Sequence, residues 1–252
     1  MPTTNQEWHL RYVQQTHWTS TIASYLFQRA HLSSSSYILE VGCGTGAVLQ
    51  ELIRPLYARY VGLDINPTYL NYFAQSQPQT RLILGDAHQL PLPNACFDAC
   101  ICHFLLLWVN DPSRVLQEMY RITRSGGVVM ALAEPDYGNR IDYPQELSVL
   151  GKWQMESLSQ QGADPLVGRK LRALFSNCGL SEVESGLLGG EWKIKPENNE
   201  FDSEWDILRS DLANEPAKLA QLPHLRNLDT HSYERGERIL FVPTFYAWGR
   251  VP

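Results

Sequence analysis

The sequence predicts an α/β fold, a doubly wound, mostly parallel sheet with helices on both faces. Two observations carry that expectation. Between residues 37 and 133, short apolar runs alternate with segments of helical period, and five β-α repeats fit in that span. One apolar run, Ile38-Leu39-Glu40-Val41, leads straight into the glycine-spaced turn Gly42-Cys43-Gly44-Thr45-Gly46. Strands separated by a crossover helix pair side by side and parallel, and such sheets are buried on both faces, so their strands read as nearly continuous apolar runs.

The elements follow in order. Tyr37 to Val41 is a buried strand, and residues 46 to 56 set Val48, Leu49, Leu52, Ile53 and Leu56 on one helical face before Pro55 begins to end the run. Tyr60 to Leu63 is a second strand, Pro67 opens a second helix at its first turn, and Arg81 to Leu84 is a third strand. Phe97 to Cys102 follows as the fourth. A helix from Pro112 to about Ile122 spaces Val115, Leu116, Met119 and Ile122 on one face, and Ser125-Gly126-Gly127 turns the chain into a fifth strand, Val128 to Ala133.

The regularity then stops. Residues 134 to 180 carry Pro135, Gly138, Pro144, Gly162, Pro165 and Gly168 around two expected helices, Gln145 to Gln160 and Gly168 to Cys178. They read as a helical cap inserted over the strand ends. Glu182 to Leu188 is expected as a sixth strand, residues 199 to 213 as a helix and Ile239 to Ala247 as a last, aromatic-rich strand, while residues 214 to 237 give no element signal. The expected division is an N-terminal helical segment (1–36), a ligand-binding α/β core (37–135), the cap (136–180) and the C-terminal part of the sheet (181–252).

Composition narrows the function. With 252 residues, 44% of them hydrophobic, the chain can bury one large core, with or without a small cap. Lys and Arg number only 21 and the net charge is −6, so no strong basic field is expected to hold a nucleic-acid backbone beyond a local basic patch. No segment has signal-peptide character or membrane-spanning length, and the expected location is the cytoplasm. Five cysteines sit mostly in apolar segments and read as reduced, buried thiols. Cys100 and Cys102 share one strand face, where small core residues are a better reading than a soft-metal pair, and no metal site is expected.

The chemistry collects at the carboxyl edge of the predicted sheet, where open α/β sheets bind ligands. Glycines 42, 44 and 46 follow the first strand; Asp64, eighteen residues past Gly46, ends the second; Gly85-Asp86-Ala87 ends the third; and His103 ends the fourth. Asp64 can accept hydrogen bonds from ribose hydroxyls or cap the helix that Pro67 opens. Asp86 suits a ligand contact or a plain turn. The Gly-x-Gly-x-Gly spacing differs from that of dinucleotide turns, and no Lys or Arg stands beside it to receive a pyrophosphate. Glu40 would repel phosphate but suits a ligand carrying an ammonium and a sulfonium. S-adenosylmethionine carries both.

Over residues 37 to 135 the chain resembles the class I S-adenosylmethionine-dependent methyltransferases, in the small-molecule branch labelled methyltransferase type 11. The resemblance rests on Leu-Glu-Val-Gly-Cys-Gly-Thr-Gly, Gly-Leu-Asp-Ile-Asn, Gly-Asp-Ala-His-Gln-Leu-Pro-Leu, Phe-Asp-Ala-Cys-Ile-Cys-His-Phe and Arg-Ser-Gly-Gly. It implies a seven-stranded sheet whose last strand runs antiparallel. It also implies that Glu40, Gly42, Cys43, Gly44 and Gly46 hold the methionine end, that Asp64 binds the ribose and Ile65 packs on adenine, that Asp86 and the Ala87 backbone recognise the adenine edge, and that His103 lies near the methyl group. Trp8, Tyr12 and Trp18 would belong to a lid helix of the kind similar enzymes carry, unless they simply pack.

The acceptor side rests on residues 134 to 143. Glu134, Tyr137 and Arg140 are candidates for substrate contact, and His103, Asp136 and Tyr137 for a base, against the alternative of a solvated loop with an Arg140–Asp142 pair. The expected activity is methyl transfer from S-adenosylmethionine to a small organic acceptor at O, N or C. Kept beside it are a non-catalytic binding or regulatory module in the same fold, a nicotinamide-dependent oxidoreductase, and aminopropyl transfer.

Overall fold

A computed structural model of the chain describes residues 4–189 and 198–252. Seven strands form one sheet: β1 (Tyr37–Val41), β2 (Arg59–Asp64), β3 (Arg81–Leu84), β4 (Phe97–Cys102), β5 (Thr123–Pro135), β7 (Ser181–Leu187) and β9 (Thr244–Arg250), in the order β3-β2-β1-β4-β5-β9-β7. The first five pair in parallel, and β9 runs antiparallel between β5 and β7. The doubly wound seven-stranded sheet with an antiparallel last strand is thus present.

Each face is closed by helices whose apolar stripe the strand alternation matches. On one face, Leu39, Val41, Cys100 and Cys102 pack with Val115, Leu116, Met119 and Ile122 of α3 (Pro112–Ile122) and with Leu171 and Phe175 of α5 (Leu171–Asn177). On the other, Ile38, Ala99 and Ile101 meet Ala23, Leu26 and Phe27 of α1 (Asn5–Arg29), Leu49, Leu52 and Ile53 after β1, and Leu70 and Phe73 of α2 (Pro67–Ser76). Thr4 starts α1 with a reciprocal cap, its hydroxyl accepting from Glu7 N while the Glu7 carboxylate accepts from Thr4 N.

Four expectations change. The helix after the glycine turn is not a regular α-helix: Leu49–Ile53 widens to a π-helical turn and Arg54–Leu56 tightens to 3-10. Pro55 has no N–H to donate and its ring crowds the carbonyl four residues back, so the chain changes hydrogen-bond spacing instead of continuing. The last strand is split: Ile239–Phe241 (β8) leaves the main sheet to pair with Ile141–Tyr143 (β6), and Thr244–Arg250 alone joins β5 and β7.

The cap also divides. The expected Gly168 to Cys178 helix forms as a 3-10 turn at Gly168–Lys170 followed by α5, and α5 belongs to the sheet's own helical layer. The segment that carried no signal is helical, as α7 (Pro216–Leu219) and α8 (Leu222–Glu234). Together with α4 (Ser148–Gln160) and α6 (Asn198–Asp211), α8 encloses a separate core of Leu147, Leu150, Trp153, Trp205, Leu208, Leu212, Leu222 and Leu225. The helical layer is therefore assembled from two stretches of chain, before α5 and after β7. A buried ion network ties it to the β6–β8 ribbon: Arg140 and Arg238 both bind Asp142, Arg238 also binds Asp229, and Asp229 accepts from Trp205 Nε1 at 2.9 Å.

Candidate active site

The glycine turn leaves β1 under backbone control, with the N–H groups of Gly42 and Cys43 both donating to Leu63 O at 2.8 and 3.0 Å. Gly46 has φ +90°, and a Cβ there would sit 2.4 Å from the buried Phe73 ring, so only glycine lets the turn close onto α2. Asp64 ends β2 beside it. Its carboxylate accepts from Gly44 N and Asn66 N, both at 2.8 Å, which holds the two oxygens at the sheet edge with lone pairs to spare. Asn66, not Asp64, caps α2 by accepting from Thr68 N and Tyr69 N.

Glu40 lies beneath the turn, 1% exposed, and the Tyr60 hydroxyl donates to it at 2.5 Å. Burial pushes its carboxyl up to about 8 against the Tyr60 hydrogen bond, which pulls the other way; nearby Asp64 adds to the rise. Cys43 is buried beside these acids and its thiol is raised well above the ordinary range, chiefly by burial. A buried carboxyl with a neutral donor and, among the described residues, no cationic contribution is a group that a positively charged ligand would ionise.

The third strand opens onto a more exposed rim. Asp86 accepts from the backbone N–H of His88 at 2.8 Å and meets its ring nitrogen at 2.7 Å, bonds that hold its carboxyl below the usual range. Ile65 and Leu84 stand 68% and 59% exposed at the ends of β2 and β3, while Ala87 is buried. The loop after Asp86 is pinned from α3: Glu118 accepts from Leu90 N, and Arg121 donates to the carbonyls of Leu90 and Leu92.

Helix α1 crosses the carboxyl edge above these groups. The Tyr12 ring lies 3.4 Å from where a Gly44 Cβ would be and stacks with Trp8, while His9 Nδ1 is 3.0 Å from Thr45 Oγ1. Further along, Thr19 Oγ1 is 3.0 Å from Nε2 of His103, which sits just past β4. Burial drops the His103 imidazole to about 3, so it is neutral. Trp18 is half exposed under a guanidinium of Arg11 that lies 5.2 Å from its ring centroid, and Arg11 itself is buried against Glu204 of α6. Sequence reasoning missed Tyr60, Thr19, His9 and Arg11. Tyr60 was within reach, since it alternates with Gly62 and Asp64 along one strand; the others contact the site across tens of residues.

At the end of β5 and beyond it, the structure redistributes the acceptor candidates. Glu134 is fully buried and accepts from the N–H groups of Leu105, Leu106 and Leu107 at 2.9, 2.8 and 3.2 Å, so it anchors the turn after β4 and is not turned toward a ligand. Asp136 is also fully buried, with both oxygens held by Arg169 at 2.5 and 2.6 Å. Its carboxylate is committed to an ion pair, which corrects the reading of Asp136 as a free base. Arg140 is occupied by Asp142 and Gln154 inside the helical layer, which corrects its reading as an acceptor contact. Tyr137 alone of this group has a hydroxyl with no hydrogen bond among the described residues. Burial pushes its phenol up to about 12, partly offset by nearby Arg11.

A methyltransferase-domain family profile matches residues 39–131. Malonyl-[acyl-carrier protein] O-methyltransferase of Serratia marcescens is 38% identical over 93 residues, covering 37% of this chain and 36% of the relative. Demethylmenaquinone methyltransferase of Lysinibacillus sphaericus is 32% identical over 167 residues, 59% of this chain and 71% of the relative. The chain belongs to the class I S-adenosylmethionine-dependent methyltransferases. It spans only 36 to 39% of the length of the malonyl-[acyl-carrier protein] O-methyltransferases it matches in Serratia, Yersinia, Pectobacterium and Hamiltonella. Among solved structures, geranyl diphosphate C-methyltransferase of Streptomyces coelicolor, in complex with S-adenosylhomocysteine, aligns with a TM-score of 0.57 at 14% identity over 92% of this chain and 77% of that one. That likeness is one of fold. Among the described residues no helix is long and apolar enough to cross a membrane, and no group of His, Cys, Asp and Glu is placed to hold a metal ion.

Proposed function

We propose that the protein is a cytoplasmic enzyme that transfers a methyl group from S-adenosylmethionine to a small organic acceptor. The observation that carries this is the pairing of Asp64, tethered to Gly44 N at 2.8 Å, with the buried Glu40 under the same turn. One carboxylate presents lone pairs for ribose hydroxyls and the other offers a buried counter-charge, which fits a cationic nucleoside and disfavours a pyrophosphate. When bound, S-adenosylmethionine supplies a methyl group made electrophilic by its sulfonium.

The protein's share is then to grip, align and keep water out. In this reading Glu40, Gly42, Cys43, Gly44 and Gly46 receive the methionine end, Asp64 the ribose, Ile65 a face of adenine, and Asp86 with the Ala87 backbone its edge. Helix α1 serves as the lid, with Tyr12 and Trp8 closing over the turn. On the acceptor side, His103 offers a neutral lone pair and Tyr137 a protonated phenol, one hydrogen-bond acceptor and one donor. The acceptors named for the relatives, malonyl-[acyl-carrier protein] and demethylmenaquinone, differ so widely that this chain's acceptor class rests on its own residues.

Calorimetry of the purified protein with S-adenosylhomocysteine tests the reading, beside the Asp64→Ala variant. Binding by the wild type that the variant loses supports it; no heat of binding by the wild type overturns it. Turnover of methyl-labelled S-adenosylmethionine against phenols, amines and quinols then identifies the acceptor class.

A further inference from the structure

Thr19 lies on the buried face of helix α1, against the imidazole of His103 just past β4. Its Oγ1 lies 3.1 Å from Thr16 O, 3.4 Å from Gln15 O and 3.0 Å from Nε2 of His103. A hydroxyl carries one proton, and carbonyl oxygens can only accept. Were that proton directed at Nε2, two carbonyl oxygens would face the lone pairs of Oγ1 with no hydrogen between them. Directed at the helix carbonyls, as threonines in helices commonly are, it leaves Oγ1 free to accept a hydrogen from Nε2.

The imidazole is neutral, since burial lowers it to about 3, and so it carries a single ring proton. With that proton on Nε2, Nδ1 is bare, and it has no hydrogen-bond partner among the described residues. Thr19 is 1% exposed and its hydrogen bonds go to Gln15 O, Thr16 O and His103 and to neither the glycine turn nor Asp64, so its bond to His103 can be altered without removing a hydrogen bond that shapes the turn.

We propose that Thr19 is a positioning residue that fixes the Nε2–H tautomer of His103 and thereby presents bare Nδ1 to an O–H or N–H of the methyl acceptor. The acceptor is accordingly a hydroxyl or amine compound that still carries its hydrogen on docking, and not one that reacts through carbon alone. This rests on the methyl-transfer reading of the site.

The test is ¹⁵N–¹H correlation of the imidazoles in the full-length, ¹⁵N-labelled protein, with His103→Gln used to assign the signals. Expected is a single tautomer with hydrogen on Nε2 in the wild type, retained in Thr19→Ser and replaced by a mixture in Thr19→Val. Hydrogen on Nδ1 in the wild type, or an unchanged tautomer in Thr19→Val, would overturn the proposal. Phenol, as an O–H probe, should shift the Nδ1 resonance of the wild type at concentrations where anisole does not; equal shifts from both, or none from either, count against the acceptor class. Thr19→Val should bind S-adenosylhomocysteine within about two-fold of the wild type. If the wild type binds none, the methyl-transfer reading fails while the tautomer result stands on its own.

Discussion

Replacing Gly46 by alanine probes the geometry on which the glycine turn depends. The residue has φ +90°, outside the small left-handed basin near +50 to +70° that L-residues visit. Forcing a Cβ into such a conformation costs about 1–3 kcal/mol. The new Cβ would also lie 2.4 to 2.6 Å from three atoms of Phe73, a fully buried ring, and overpacking of that kind typically costs about 1–3 kcal/mol more. Gly46→Ala should therefore lower stability by roughly 2–6 kcal/mol in urea unfolding of the ligand-free protein. Gly44→Ala is the internal control, because φ there is +51° and the Cβ would meet Tyr12 at an ordinary 3.4 Å. It should lose only about 1–2 kcal/mol. Adding Phe73→Leu to Gly46→Ala should recover part of the steric share, so that the double variant is milder than the sum of the two single changes. A Gly46→Ala loss equal to or smaller than that of Gly44→Ala would refute the argument.

Three further outcomes are expected. Asp64→Ala should weaken S-adenosylhomocysteine binding about 100-fold or more, since a charged hydrogen bond is worth roughly 1.5–3 kcal/mol and two are at stake; calorimetry showing less than about a three-fold change would contradict the ribose role. Glu40 should make ligand-free stability fall as pH rises: its carboxyl, about 8 in the folded protein against 4.5 for an ordinary glutamate, keeps its proton after the unfolded chain has released its own. Melts between about pH 5 and 8 should thus lose up to about 1.4 kcal/mol per unit from this group, a slope that Glu40→Gln removes and a bound cation reduces. Asp142→Ala strips a shared counter-ion from Arg140 and Arg238, whose side chains are 4% and 1% exposed, at a cost of roughly 3–5 kcal/mol. Hydrogen exchange should show α4 and α8 opening while β1 and β4 stay protected.

What the sequence made legible was the part of the fold whose signals are local. Tyr37–Val41, Arg81–Leu84 and Phe97–Cys102 fall at the residues their apolar runs mark, and Asp64 and His103 stand at the strand ends that the spacing demands. What was not legible depends on pairing across the chain. Ile239–Phe241 has the apolar, aromatic character of the strand that follows it, and only its partner, Ile141–Tyr143, separates the two. Residues 222 to 234 look polar because α8 spends its buried face partly on Asp229, which serves the ion network, and on Ser232, whose hydroxyl donates back to Leu228 O, and not on an apolar stripe.

The same physics explains why the roof of the site was hard to read, and it supplies a rule for reading it. Along α1 the buried positions change character: Arg11, Thr16 and Thr19 come first, then Ala23, Leu26 and Phe27. The second group packs against the sheet's helical layer with Ile53 and Ile38, where only apolar contact is available. The first group lies where the helix has run past the strand ends: Arg11 pairs there with the Glu204 carboxylate and Thr19 with the His103 imidazole, while Tyr12 between them lies over Gly44. Polar side chains facing inward break the hydrophobic period, so a periodicity search sees a weak helix. A helix whose inward face is polar along one stretch and apolar along the next is instead the pattern expected when one end covers a polar site and the other is anchored in the core. By that criterion the point at which α1 leaves the core is marked by Thr19, the residue that reaches His103.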